Sequence, residues 1–184
     1  MKRLACFATA LAVAMASPCA ASSSELGPDE SPAALMTAAA TVAAARDDAL
    51  PVVEGNNLRP GGYWWADDMP SGGEMEVVVS LEDQKAYVYR AGQLIGVSTI
   101  SSGKDGKETP PGIFPILEKK RSHFSRKYDN APMPYMQRLD QWGIALHGGK
   151  VPGFRASRGC VRLPAAFAAK LFAMTEVGDR VVIG

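Results

Sequence analysis

From Glu74 onward the apolar and polar positions alternate with a period close to two. Met75 to Ser80, Lys85 to Arg90 and Gln93 to Ile100 are short Val-, Tyr- and Ile-rich segments, separated by Glu82-Asp83-Gln84 and by Ala91-Gly92. Successive side chains on a strand point to opposite faces, so this spacing, broken by turn residues, reads as an antiparallel meander. Further strands are predicted at Ile113 to Glu118 and at Gly143 to His147. Pro164 then supplies the first position of a helix that reaches about Met174 and carries alanines with Leu171 and Phe172, before Gly178 turns the chain into a strand from Arg180 to Ile183. The pattern predicts a mainly β domain, a sandwich-like mixed sheet with one or two short helices. The sequence holds no phosphate-binding glycine loop, nucleotide fingerprint or internal repeat.

Before Glu74 the pattern differs. Lys2 and Arg3 precede an apolar run from Leu4 to Ala16, and small residues offer cleavage after Ala21, so residues 1–21 read as a secretory signal peptide. That run is shorter than the ~20 residues a membrane-spanning helix needs, and the mature chain has no other candidate. Residues 22–73 form an Ala-, Ser- and Gly-rich leader. Within it, Ala33 to Ala49 has high helix propensity but too few large side chains for a core of its own. The leader is therefore expected to act as a spacer, with a helix docked on the domain as the alternative. Gly61-Gly62-Tyr63-Trp64-Trp65 is expected to pack against the domain edge. Residues 74–184 are the predicted folded domain, long enough for one compact core.

Charge excludes some partners. Twenty Lys and Arg stand against nineteen Asp and Glu, and loss of the signal removes two basic residues and no acidic one. Neither nucleic acid nor an anionic membrane is an expected partner. Export matters more for the cysteines. Cys6 and Cys19 lie in the signal peptide, which leaves Cys160 as an unpaired thiol in an oxidising compartment, and nucleophilic catalysis is the leading reason to keep one.

A thiol becomes a nucleophile near neutral pH when an imidazole takes its proton and positive charge steadies the thiolate. His147 precedes Cys160 by thirteen residues, and the interval contains Gly148, Gly149, Pro152, Gly153 and Gly159, so a loop can bring the two side chains together. Arg155, Arg158 and Arg162 would add favourable charge around the sulfur. His123, the other histidine, lies in the basic stretch Lys119 to Lys127 and reads as part of a solvated loop or a lid. Two distant histidines and one cysteine do not supply a metal set, so no metal and no organic cofactor is expected.

The chain from Glu74 to Gly184 resembles the L,D-transpeptidase catalytic domain (YkuD-type), a family of cell-wall enzymes with a cysteine nucleophile. The resemblance rests on motifs in order: the opening meander, Thr109-Pro110-Pro111-Gly112-Ile113-Phe114, Ile144-Ala145-Leu146-His147-Gly148, Ser157-Arg158-Gly159-Cys160-Val161-Arg162, and the closing Gly178-Asp179-Arg180-Val181-Val182-Ile183. It covers the predicted domain and none of the leader. One departure stands out, since Arg158 occupies a position where the family usually has histidine. Arginine cannot act as a base, so Arg158 is expected to contact a substrate carboxylate.

The resemblance implies roles for further residues. Cys160 is the nucleophile and His147 its base, oriented by the Gly148 carbonyl. The N–H groups of Gly159 and Cys160, together with Arg158, are expected oxyanion donors. Ser157 shapes the loop, and Ser157 and Arg162 line the substrate site. Met133 and Tyr135 lie in a segment that matches the donor pocket, with core packing the alternative for Tyr135. The implied partners are peptidoglycan stem peptides as donor and acceptor, or a wall-anchored lipoprotein as acceptor. The implied location is the periplasm or cell envelope, and carbapenem-type β-lactams are expected to acylate Cys160. Two other classes stay open: a non-catalytic peptidoglycan-binding protein, and a related cysteine hydrolase or amidase that cuts wall crosslinks or protein links to the wall.

Overall fold

The computed structural model describes residues 27–184; the expected signal peptide and Ser22 to Ser24 lie outside them. The first element, α1 (Pro32–Asn56), begins where the Ser31 hydroxyl accepts the Ala34 N–H at 3.2 Å, with Pro32 in the first turn. It ends at Asn57 in the left-handed conformation. The helix is longer than the alanine run predicts because it continues through Pro51, which is exposed, as is Asp47, whose carbonyl the proline leaves without a donor.

The expected spacer is instead a docked element. Ala34, Ala38, Val42, Ala45 and Ala49 form a buried stripe at helical spacing, and the last four lie against Val78, Tyr87, Val97 and Val182. Small side chains that cannot build a core alone let the helix lie close to a surface that supplies the large ones. Arg46 fixes the register: its Nε donates to Asp83 Oδ2 at 2.6 Å and its terminal nitrogen to Glu82 Oε2 at 2.8 Å.

Strand β1 (Tyr63–Trp65) is followed by β2 (Met75–Ser80), β3 (Lys85–Arg90), β4 (Gln93–Thr99) and β5 (Gly112–Pro115). The β3–β4 turn uses Ala91 and Gly92, both at positive φ, as a two-residue hairpin requires. After β6 (Glu118–Lys120), the short pair β7 (Phe124–Ser125) and β8 (Ala131–Pro132) makes a separate hairpin. Then come β9 (Met136–Arg138), β10 (Ala145–Gly148), β11 (Val161–Leu163), α2 (Ala165–Met174) and β12 (Arg180–Ile183).

One sheet runs β1-β4-β3-β2-β12-β5 and the other β11-β10-β9-β6. Both are mixed, with β2/β12 and β10/β11 parallel and the remaining neighbours antiparallel. The main core gathers Val77, Val79, Val88, Ile95, Phe114, Leu146, Phe167 and Leu171, while α1 covers the opposite face of the first sheet. With both faces covered, the alternation on β2 gives way to nearly continuous burial. Tyr63 to Trp65 pair with β4, and Tyr63 and Trp65 meet Phe167 edge-on at 5.6 and 5.1 Å, in keeping with the expected packing at the domain edge.

Two strand boundaries differ from the sequence reading. The single strand expected over Ile113 to Glu118 divides between β5 and β6 because the chain changes sheets: the Ile116 N–H bonds Asp179 O, and the next N–H, of Leu117, bonds Arg138 O. The strand expected from Gly143 starts at Ala145, because the Asp140 carboxylate holds the preceding residues in a turn. Pro164, expected at the first helical position, is instead the N-cap, and α2 begins one residue later at Ala165.

Candidate active site around Cys160

Parallel pairing of β10 with β11 sets His147 opposite Arg162 and Leu146 opposite Val161. Cys160 immediately precedes β11, two residues from Arg162, so side-chain parity places it on the His147 side. The Gly148 carbonyl lies 2.9 Å from His147 Nδ1. In the neutral ring Nδ1–H donates to that carbonyl, which leaves the lone pair on Nε2. The carbonyl is itself held, since the N–H of Gly148 bonds Pro134 O at 2.8 Å and that of Gly149 bonds Leu163 O at 2.9 Å. Burial pushes the His147 pKa below the ordinary histidine value, with Arg162 and His123 adding to the effect and the Gly148 bond opposing it.

Cys160 is half-buried against Met133, Met136 and Ala145. Burial raises its pKa; the Ala145 N–H and Arg162 oppose that, and the Asp140 charge adds to it. Burial thus favours the uncharged form of each group. The hydrogen bond the thiol makes is to the Gly143 carbonyl at 3.4 Å.

Asp140 prepares that carbonyl. Its side chain is buried, and one carboxylate oxygen accepts the N–H groups of Trp142, Gly143 and Ile144 at 2.9, 2.7 and 2.8 Å. Three donors on one oxygen fix the turn that carries Gly143 O to the sulfur. Sequence reasoning missed both residues, although Asp-x-x-Gly before a strand is a turn signature.

The residues around the thiol are tied to the segment after β4. Thr109 Oγ1 donates to Gly159 O at 2.7 Å and accepts the Gly103 N–H at 2.9 Å. Arg162 and Ser101 exchange both backbone bonds at 3.0 Å, and Ser102 O accepts the N–H groups of Ala156 and Ser157. Gly159 has φ +116°, and a Cβ there would come within 2.9 Å of Ile144 Cδ1, so glycine is required. The Ser157 hydroxyl closes the loop, accepting from Gly159 N at 3.1 Å and donating to Cys160 O.

These bonds correct several sequence expectations. The Gly159 N–H, expected as an oxyanion donor, is engaged by Ser157, which leaves the Cys160 N–H from that pair. The three arginines do not converge on the sulfur: Arg155 donates to Leu81 O at 2.8 Å, Arg158 is turned outward onto the Tyr128 ring at 4.7 Å, and only Arg162 of the three favours the thiolate. The Arg162 stem packs over Gly149. In the Met133-to-Met136 segment, Met133 reaches Cys160, whereas the Tyr135 ring packs on Phe172 at 5.9 Å beneath Arg121, the core alternative. Among the described residues no cluster of His, Cys, Asp and Glu could hold a metal, and no helix is long and apolar enough to cross a membrane.

Against protein-family models the chain matches the L,D-transpeptidase catalytic domain over residues 74–183, more than half its length. No curated protein matches the chain. Among solved structures it is similar to an L,D-transpeptidase from Stackebrandtia nassauensis, with 29% identity and a TM-score of 0.56 over 64% of this chain and 58% of that one. An L,D-transpeptidase from Mycobacterium smegmatis gives 22% and 0.57 over 61% and 59%. L,D-transpeptidase 3 from Mycobacterium tuberculosis in complex with a faropenem-derived adduct gives 21% and 0.56 over 61% and 60%. The last two likenesses concern the fold. The chain spans less than two thirds of the length of each.

Proposed function

The chain belongs to the L,D-transpeptidase catalytic-domain family, and from that membership we propose that it is an exported acyltransferase in which Cys160 attacks peptidoglycan stem peptides. The observation that carries this reading is the His147 ring, fixed through Nδ1 by the Gly148 carbonyl on the strand beside the Cys160 loop. Export follows from the reading of residues 1–21 as a signal peptide, with residues 74–184 as the catalytic unit.

With burial favouring the uncharged thiol and imidazole, activation is a proton transfer made when the substrate carbonyl is in place. The S–H turns from Gly143 O, His147 Nε2 takes its proton, and the sulfur attacks the carbonyl that links the third stem residue to the terminal D-alanine. The Cys160 N–H lies beside the new bond and donates to the developing oxyanion. As the C–N bond breaks, the imidazolium returns the proton to the amine of D-alanine, which leaves a thioester on Cys160. An acceptor amine then attacks the thioester, gives a proton to His147 and expels the thiolate, which recovers that proton. The acceptor is the side-chain amine of a second stem, giving a 3→3 crosslink, or a lysine of a wall-anchored lipoprotein. Neither metal nor organic cofactor enters these steps.

Mass spectrometry of tetrapeptide muropeptides incubated with the protein tests the reading. Loss of D-alanine with the wild type and none with Cys160→Ala is the expected result. Unchanged muropeptides with folded protein, and no adduct on Cys160 from a penem, would leave a wall-binding role in its place. Free tripeptide formed even with excess amine would indicate a hydrolase.

A further inference from the structure

Arg158 stands two residues before the nucleophile, and its guanidinium carbon lies 4.7 Å from the centre of the Tyr128 ring. Tyr128 sits between β7 and β8, where its N–H bonds Ser125 O at 3.2 Å and its carbonyl accepts the Ala131 N–H at 2.9 Å. The two arms of its hairpin are joined by the Met133 N–H on His123 O and the Tyr135 N–H on Arg121 O, which continue the pairing of β6 with β9. Lys127 Nζ lies 5.7 Å from the same ring. Among the described residues no carboxylate lies within salt-bridge distance of Arg158 or Lys127. Two cations thus share one aromatic ring on the hairpin that Arg158 reaches from the Cys160 loop, and neither is held in a salt bridge with a described residue.

A guanidinium that stacks on an aromatic ring uses its face and keeps its N–H edge free, and that edge matches a carboxylate with two parallel bonds. Packing on Tyr128 also restricts the side chain, so less rotamer freedom is lost when an anion arrives. The Cα atoms of Arg158 and Cys160 are at most about 7 Å apart, the length of about two residues of extended peptide, so a stem peptide bound at Cys160 can extend toward the guanidinium on its Tyr128 ring.

Resting on the transpeptidase reading, we infer that Arg158, held by Tyr128 and assisted by Lys127, is a carboxylate-binding site that selects stem peptides bearing a free carboxylate next to the scissile bond. Two such carboxylates exist on the proposed donor: the terminal one of D-alanine, and the side-chain one of a diamino-acid third residue. The site also gives a use to the arginine that stands where the family usually has histidine. It recognises an anion and moves no proton.

The test is calorimetric binding of three tetrapeptides to full-length Cys160→Ala protein: the free acid, the analogue amidated at the terminal carboxylate, and the analogue amidated at the side-chain carboxylate. One amidation is expected to weaken binding about 10- to 100-fold, as loss of a charged bidentate pair does, and the analogue affected names the carboxylate. Arg158→Gln should lower affinity for the free acid by the same factor and leave that amide unchanged, while Arg158→Lys and Tyr128→Ala should fall between. Equal binding of all three peptides, or an equal loss for acid and amide in Arg158→Gln, would overturn the site. D-alanine release by the wild type is scored separately. If it is absent while acid-over-amide binding persists, the reaction is wrong and the binding site stands.

Discussion

Replacing Asp140 with alanine removes the group that shapes the turn facing the thiol. Its carboxylate oxygen is buried and receives three backbone N–H groups between 2.7 and 2.9 Å. A hydrogen bond to a charged group contributes ~1.5–3 kcal/mol, and a buried donor left without a partner costs a comparable amount. Because the three bonds share one acceptor and water can enter the space left by the side chain, the net loss is set at about 3–5 kcal/mol rather than their sum. For a protein of this size that corresponds to a fall in Tm of roughly 6–20 °C. The substitution Asp140→Asn keeps an oxygen acceptor and should lose about 1–2 kcal/mol. The charge effect is read at the thiol. Asp140 raises the Cys160 pKa, so Asp140→Asn should shift the pH profile of iodoacetamide alkylation to lower pH. Thermal unfolding and alkylation rates from pH 6 to 10 provide the two readings. An alanine variant within ~1 kcal/mol of wild type, or an asparagine variant whose profile moves to higher pH, would refute the role given to this carboxylate.

Burial lowers the His147 pKa, so the acid limb of kcat/KM should lie below the ordinary histidine value of about 6.5, and His147→Gln should lower turnover by at least ~10²-fold. The same shift has a stability consequence: the unfolded chain takes up the proton first, so the His147 contribution is complete above the unfolded pKa and declines as pH falls toward the folded one, which denaturant titrations from pH 7.5 to 5 would detect. Gly159→Ala meets both a positive φ and Ile144 Cδ1, and should cost about 1–3 kcal/mol with loss of penem acylation; unchanged melting and acylation would contradict it. Ala38→Leu introduces three carbons where α1 touches the sheet with no exposed surface and should destabilise by about 1–3 kcal/mol, seen as faster hydrogen exchange in α1.

The strands of the meander were legible because turn residues punctuate them and their side chains are β-branched or aromatic. The sheet change at Ile116 was not, because one continuous apolar stretch, Ile113 to Leu117, is compatible with a single strand as well as with two. The docking of α1 was hidden for a different reason: alanines carry high helix propensity but do not indicate what they lie against, and the partner residues Val78, Tyr87, Val97 and Val182 already looked like ordinary strand positions. At the site, Cys160, His147 and the loop glycines were readable from residue type and spacing. The hydrogen bonds of Asp140 to three N–H groups, of Ser157 to Gly159 and of Arg155 to Leu81 were not, since they depend on where turns bring backbone atoms, which composition does not encode.

The family-matched region and the folding unit have different limits. Residues 74–183 carry the matched domain, yet α1 covers one face of its first sheet, and Tyr63 to Trp65 occupy the free edge of β4. A fragment cut at Glu74 would present Val78, Tyr87, Val97 and Val182 to water beside an unpaired strand, the combination that seeds edge-to-edge association. For this chain, the cover over that face and that edge comes from residues outside the matched region.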